Sequence, residues 1–276
     1  MGWTSPYTIS SSAINTWIGE ELRTVGGEAT AYYRAEDWEA EITGSLFTAN
    51  DPTGTLLAWR GWTISDREAG FWDHLPLPAL PVLRPPSSFA KQLPYDQPFK
   101  EIDGKLGLYI GGKVSLPSLG SLSVYRYDNR ADDKMFENGQ WPWTTTFWSF
   151  GAQATVGKYD ILAQGMTGKT TVVTLPAGPL VYADFRSAYG LVSRGWGNHR
   201  VSLRYDWFET NGMDLGTPAK ERGNALTLAY IYRPAARQRL TLEFLYINSD
   251  HAERTGLRLP VNAKETQAQI SYRFFL

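Results

Sequence analysis

The chain has no cysteine among its 276 residues, and its formal net charge is only −1. The absence of cysteine excludes disulfide bonds, thiolate metal ligands and a cysteine nucleophile. The near-neutral charge argues against a nucleic-acid binder, because such proteins usually carry a basic excess. Unbroken runs of about 18 apolar residues, the length a membrane-spanning helix needs, are also missing, so no transmembrane helix is predicted.

Aromatic residues are abundant by comparison. The chain has 11 Trp and 15 Tyr against only 4 Met, and one residue in five is charged. A soluble core is built mainly from Leu, Ile, Val and Phe, whereas girdles of Trp and Tyr are typical of a membrane interface. Many of these aromatics fall near predicted strand ends or in loops, as a girdle requires: Trp38, Trp143, Trp148, Trp207, Tyr232 and Tyr246.

The C-terminus shows the clearest periodicity. From residue 265 to the end, apolar and polar side chains alternate, which indicates a β-strand with two different faces. A helical period would scatter Gln269 and Arg273 among the apolar residues. The apolar face consists of Thr266, Ala268, Ile270, Tyr272, Phe274 and Leu276.

The same alternation recurs upstream and predicts eleven strands. Residues 2–9 are a candidate twelfth strand, and an even number is expected for a bacterial single-chain outer-membrane barrel. The fold class predicted is all-β, a transmembrane antiparallel up-and-down barrel of about 12 strands that forms one domain over residues 1–276. For residues 121–130, whose faces are ambiguous, we expect Tyr125 and Tyr127 outside and Arg126 and Asp128 inside.

The predicted connections alternate between short and long. Outer-membrane barrels combine short periplasmic turns with long outer loops, and a soluble β-sandwich has no reason to sort its loops in this way. The long connections are residues 50–102, 131–142, 171–179, 211–221 and 251–263.

Two stretches of the chain resemble known proteins. The last strand, with Tyr272, Phe274 and Leu276 on its apolar face, resembles the C-terminal signature of Gram-negative outer-membrane porins. Residues 50–62 (NDPTGTLLAWRGW) are similar to a loop of uncharacterised proteobacterial porin-like proteins. The resemblance implies a bacterial outer-membrane location and recognition of the last strand by the barrel-assembly machinery. Residues 1–25 look like the end of a strand and an outer loop, which suggests the hypothesis of an N-terminally shortened barrel.

The inward faces of the predicted strands carry many charges. A dry barrel core would not tolerate them unpaired, because an isolated buried charge costs several kcal/mol. The interior is therefore either water-filled or neutralised by a plug. An acidic wall in the first strands would face an arginine wall, and arginine recognises carboxylate and phosphate groups. The alternative is that these arginines pair with neighbouring carboxylates and only stiffen the wall. The residues predicted to line the pore are Arg126, Arg186, Arg200, Arg204, Arg233, Arg273, Glu39, Glu41, Asp184, Asp206 and Glu243.

The connection 50–102 is the longest of all. Residues 76–98 hold seven prolines, which exclude both a helix and a paired strand there. Its aromatic side chains favour packing over disorder. The loop either folds into the barrel mouth and narrows the pore, or it caps the outer rim or contacts a neighbouring subunit. The residues proposed for a constriction are Trp59, Arg60, Trp62 and Arg84.

Few residues indicate an enzyme. Among the three histidines, only His251 has a serine two positions away, Ser249, with Asp250 between them to orient the ring. A solvated polar loop is the simpler interpretation. The histidine spacing does not suggest a metal site, and acidic loop residues that could hold Ca²⁺ are more often merely solvated. Those acidic residues are Asp132, Asp133, Glu137 and Asp214.

The sequence therefore predicts a porin, not an enzyme, without cofactor or metal. Small hydrophilic solutes, among them anions and zwitterions, would diffuse through a water-filled lumen. The expected partners are outer-membrane lipid, these solutes and the barrel-assembly machinery, but no nucleic acid; a homotrimer is common among porins. The alternatives are an outer-membrane barrel hydrolase that uses Ser249 and His251, and a plugged structural or adhesive barrel.

Overall fold

The computed structural model describes residues 6–173, 180–214 and 217–275. Within these residues, besides three short 3-10 helices, two short α-helices and thirteen strands follow one another. They are α1 (Ala13–Glu20), β1 (Val25–Arg34), β2 (Glu39–Thr48), α2 (Thr55–Trp59), β3 (Leu75–Pro76), β4 (Tyr95–Asp96), β5 (Gly107–Leu116), β6 (Gly120–Asp128), β7 (Thr144–Val156), β8 (Tyr159–Val173), β9 (Leu180–Trp196), β10 (His199–Asp214), β11 (Thr217–Tyr232), β12 (Gln238–His251) and β13 (Asn262–Phe274).

Eleven of these strands form one antiparallel sheet in the order β1-β2-β5-β6-β7-β8-β9-β10-β11-β12-β13. Within this sheet, each strand pairs with the sheet strands next to it along the chain, which is the up-and-down topology of outer-membrane barrels. The predicted fold class is thus confirmed. β1 and β13 are the two ends of the sheet, and the described residues contain no pairing between them. Among the described residues, no helix is long and apolar enough to cross a membrane.

The outer face of the sheet exposes a belt of large apolar side chains. A soluble monomer rarely exposes so many neighbouring apolar residues, and lipid is the solvent that suits them. On β13 the belt includes Ile270, Tyr272 and Phe274, the face that the alternation predicts to be apolar; Leu276 lies outside the described residues. Members on the other strands include Ile42, Leu46, Ile110, Leu122, Trp148, Phe150, Val192, Leu203, Tyr205, Leu226, Leu228, Leu242 and Phe244.

The inner face packs against the chain's own loops. We call residues 6–24 and 49–106, which carry α1, α2, β3 and β4, the internal segment. The ring of Trp17 on α1 meets the rings of Phe147 on β7 and Phe185 on β9 at 5.6 and 5.1 Å. Further along, Ile9 donates its backbone N–H to Glu243 on β12. One segment that touches both β7 and β12 requires the sheet to curve around it.

The structure reverses the faces expected for β6. Tyr127 is buried and stacks on the ring of Phe147 at 4.7 Å, so it points inward. Its neighbour Arg126 lies on the outer face, where its guanidinium sits 5.6 Å from the ring of Trp148. The prediction that Arg126 lines the pore is therefore wrong.

The same correction applies to β9. Val181, Ala183 and Phe185 are buried on the inner face, so Asp184 and Arg186 point outward. Arg186 is paired there with Glu209 of β10 at 3.9 Å. We call the end of the barrel with the long connections the loop end and the end with the short connections the turn end. These charges lie at the loop end of the strands, where the outer face is polar rather than apolar.

Several predicted loops are also different. β8 continues through residues 171–173, and β10 and β11 continue through residues 211–214 and 217–221; residues 174–179 and 215–216 fall outside the description. Residues 6–9 are not a strand but lead into α1, so the described part of the expected twelfth strand is absent. Trp143 is buried in the interior and belongs to no girdle.

The belt gives a direct test of membrane insertion. In Leu228→Arg, a guanidinium replaces an outward side chain within the apolar belt on β11, and we expect the free energy of unfolding in lipid vesicles to fall by about 2–4 kcal/mol. The matched control is Asn211→Arg on the outer face at the loop end, where charges already lie. Equal, small effects of both substitutions would mean that the belt faces water.

Candidate functional site: the barrel interior

A buried ion pair anchors the internal segment to the wall. Arg204 and Asp206 on β10 both point inward, each is 1% exposed, and their side chains meet at 2.7 Å. Arg204 also donates to the backbone oxygens of Ser10 and Ser11 at 2.7 and 2.9 Å. Asp206 accepts the backbone N–H of Ala13, the first residue of α1. All of these contacts hold the chain that leads into α1.

A third wall charge has the same role. The carboxylate of Glu243 accepts the backbone N–H groups of Ile9 and Ser10 at 2.6 and 2.9 Å, and its residue is 4% exposed. The predicted inward direction of Arg204, Asp206 and Glu243 is correct. Their predicted role is not, because side chains sealed against protein line no water-filled pore.

A cavity of about 450 Å³ lies between the internal segment and the loop end of β10 to β13. Trp59, Arg60 and Trp62, three of the proposed constriction residues, line it from the inside. Arg84 does not join them: it is exposed, donates to the backbone oxygen of Ala79 and lines another cavity. We call the first cavity the loop-end cavity.

The wall of the loop-end cavity contains the candidate hydrolase residues. Ser249 and His251 are buried on the inner face of β12, whereas Asp250 is exposed on the other face, where it accepts from Asn262. Ser249 Oγ accepts from Arg254 at 2.7 Å, and His251 Nε2 lies 3.3 Å from Glu253. The expected order Ser–Asp–His is therefore not formed, because the middle residue points away from the histidine.

Glu221 on β11 completes this cavity. Its carboxylate accepts the backbone N–H of Trp62 at 2.8 Å. Gly61 has φ +83°, and a Cβ there would lie 2.4 Å from the same carboxylate, so the chain can approach Glu221 only with glycine at this position. Sequence reasoning missed Glu221 because residues 211–221 were expected to form a loop.

Two buried carboxyl groups lie within the internal segment. Burial raises the pKa of Glu21 to about 7, against the lowering effect of the backbone N–H that it accepts from Leu56. Burial, together with the nearby charge of Glu21, also holds the pKa of Asp96 well above its ordinary value. A hydrogen bond from the backbone of Gln97 opposes this rise in the pKa of Asp96. The protonated forms suit this environment best.

A second acidic group lies where the internal segment leaves the wall. Carboxylate oxygens of Asp51, Glu101 and Asp103 lie within 4.8 Å of one another. Asp51 is buried and accepts the backbone N–H groups of Ile102 and Asp103 at 2.5 and 3.1 Å. Its role is thus to close the base of the segment. Asp132, one of the acidic residues considered for Ca²⁺, lies beside this group: its backbone N–H donates to Asp103, and its carboxylate pairs with Lys105 at 3.2 Å.

The turn end of the interior, opposite the loop-end cavity, is polar and partly exposed. On one side, Glu39 and Glu41 of β2 point inward, and each has a cationic partner: Arg34 at 2.7 Å and Lys113 at 3.3 Å. On the other side, Arg200 pairs with Asp160 at 2.6 Å. Arg233 and the cross-strand neighbours Arg239 and Arg273 form no ion pair among the described residues.

The anchor predicts a strong effect of substitution. Arg204→Met removes the charge that compensates Asp206, and breaking a buried pair in this way typically costs about 3–5 kcal/mol of unfolding free energy. Hydrogen exchange of the Ser10–Ala13 amides should rise at the same time. Arg204→Met with Asp206→Leu should be less destabilised than Arg204→Met alone; an equally unstable double variant would contradict the pairing.

The raised pKa of Glu21 predicts a pH dependence. A carboxyl group whose pKa is 4.5 when unfolded and about 7 when folded binds more protons in the folded state, so stability falls as pH rises from about 4.5 to 7. Unfolding at pH 5 and pH 8 measures this loss. Glu21→Gln should reduce it, and the exposed Glu68→Gln should leave it unchanged. If stability instead rose from pH 5 to pH 8, and Glu21→Gln removed that rise, the raised pKa of Glu21 would be contradicted.

Comparison with known proteins adds little to this geometry. No protein-family model matches the chain, and no curated protein matches it. Solved structures similar to the chain include a loop L8 deletion mutant of OmpT, an outer membrane protein of Vibrio cholerae (TM-score 0.47, 12% identity, 90% of this chain and 62% of that one), and in-vitro folded OmpT in its trimer form (TM-score 0.41, 10% identity, 90% and 91%). Scores this low carry no argument, and the case for membrane insertion rests on the apolar belt.

Proposed function

We propose that the chain is an outer-membrane porin, a barrel that conducts small hydrophilic solutes past its internal segment. The observation that carries the proposal is the uneven filling of the interior. The internal segment packs against β2 and against β6 to β12, whereas the inward side chains of β13 and β1 are mostly polar and are partly or fully exposed. A polar, uncovered strip beside an apolar plug supports a narrow water-filled route along those strands.

The charges along this strip favour anionic and zwitterionic solutes. Glu39 and Glu41 are each neutralised by a neighbouring cation. Arg233, Arg239 and Arg273 have no such carboxylate among the described residues, so the net field at the turn end is positive. A field of this sign raises the local concentration of anions in a pore.

The proposal includes an outer-membrane location, insertion through the apolar face of β13 and no catalytic reaction. A homotrimer stays a prediction. The plugged barrel is the second candidate, because Trp17, Leu57, Trp62 and their wall neighbours form a closed apolar cluster inside the sheet. The hydrolase draws less support, since Ser249 is bound to Arg254 rather than to His251.

Recordings in planar bilayers test the proposal. The folded chain should give stable ohmic steps with a reversal potential that indicates anion preference. Arg239→Gln with Arg273→Gln should move that potential toward zero, because two uncompensated charges are lost. Arg222→Gln with Arg258→Gln removes the same charge at the loop end and should leave it unchanged. Folded, inserted protein that never conducts would contradict the porin and favour the plugged barrel.

A further inference from the structure

We propose that the turn end of the interior holds a binding site for phosphate-type anions. A cavity of about 360 Å³ opens there beside the β9–β10 turn, and we call it the turn-end cavity. Its lining contains cationic side chains and no carboxylate. The residues that line it are Lys158, Gly195, Trp196, Gly197, Asn198, His199, Arg200, Ile231 and Arg233.

The charge around this cavity is strongly one-sided. Arg239 and Arg273, which lie outside this lining, are direct neighbours across β12 and β13, and the positive charge of Arg239 is repelled by those of Arg273, Arg233 and Arg200. Among the described residues, Asp160 is the one carboxylate that pairs with any member of this group. Like charges this close repel one another, and an anion bound between them would relieve the repulsion.

Arg200 is oriented to bind such an anion with two hydrogen bonds. Its Nη1 donates to Asp160 and to Ser193 Oγ at 2.6 and 2.9 Å, and its guanidinium lies 4.5 Å from the ring of Tyr7. These contacts fix the group while its Nε–Nη2 edge has no acceptor among the described residues. Paired N–H groups on one guanidinium edge match two oxygens of a phosphate.

A glycine keeps this arrangement open. A Cβ at position 195 would lie 3.1 Å from Nη2 of Arg200 and 3.5 Å from its central carbon. With a side chain at this position, the guanidinium would have to shift by a few tenths of an ångström. Gly195 therefore gives the guanidinium the room it occupies at the mouth of the turn-end cavity.

Two sources could supply the phosphate group. The arginines point into the interior, which suits a soluble phosphate or phosphate ester. The outer rim beside them carries stacked aromatic rings, His199 with Trp196, Tyr230 and Tyr232, as expected at a lipid headgroup level. The shared chemistry is phosphate recognition by guanidinium groups, and the source is decided by measurement.

The inference deepens the proposed function and rests on it for the idea that the anion is a solute in transit. Its test is equilibrium binding, which needs no conduction. Calorimetric titration of the refolded full chain with inorganic pyrophosphate should show one saturable site that weakens as salt rises. Arg233→Gln with Arg273→Gln should weaken binding at least tenfold, and the charge-matched Arg222→Gln with Arg258→Gln should not change it.

The lipid arm uses vesicles. If the site takes soluble anions, pyrophosphate should bind equally in phosphatidylcholine and in phosphatidylcholine with phosphatidylglycerol. If lipid headgroups occupy the site, phosphatidylglycerol should abolish the pyrophosphate binding that wild type shows in pure phosphatidylcholine. The arginine variant, which binds weakly in both, should not change. Both results support phosphate recognition. The inference is overturned if wild type binds no pyrophosphate in pure phosphatidylcholine, or if Arg233→Gln with Arg273→Gln binds as tightly as wild type. Binding without conduction would overturn only the porin.

Discussion

Each strand residue of this wall must suit one of two surroundings, because side chains alternate between the faces of a sheet. The outer face meets lipid over its middle part, as the exposed belt through Leu203, Leu228 and Phe244 indicates. The inner face meets the chain's own internal segment and, beside it, water. A slip of one residue in any strand would place charges in lipid and apolar groups in the interior. This constraint fixes the register from which the rest of the structure follows.

Polar groups of the wall hold the internal segment in place. Arg204, Asp206 and Glu243 direct their charges at backbone groups of Ile9 to Ala13, so the entry to α1 is held at fixed points. Apolar packing of Trp17 against Phe147 and Phe185 then fills the interior beside β7 and β9. At the turn end, Arg239 and Arg200 also touch the start of this segment, through the backbone oxygen of Pro6 and the ring of Tyr7.

The strands and the fold class were accessible from the sequence, because period-two alternation depends on the local chain alone. The assignment of side chains to the inner or outer face was wrong where the alternation alone allowed both assignments. Arg126 was assigned inward as a charge, yet its strand turns Tyr127 to the interior and lays the guanidinium on an outer tryptophan. Asp184 and Arg186 failed because their strand extends to the loop end, where the outer face is polar.

The site was less accessible, because it depends on which distant segments meet. α1 has no strong amphipathic signal and is held by contacts with strands far along the chain. Trp59, Arg60 and Trp62 were correctly singled out as a group, whereas Arg84 is too far along the loop to join them. The sequence alone could not link Lys158 and Arg239 to a site, because only the folded sheet brings them near Arg200 and Arg233.

Accessibility of single cysteines tests the central claim most directly, since the chain has none of its own. Three variants report on the three surroundings: Ser123→Cys at the turn end of the interior, Ser187→Cys beneath the internal segment and Val124→Cys on the outer face. A membrane-impermeant maleimide should label the first, spare the second and reach the third only after the lipid is removed. Equal, rapid labelling of Ser123→Cys and Ser187→Cys would reveal an open lumen without a packed internal segment and would contradict the account.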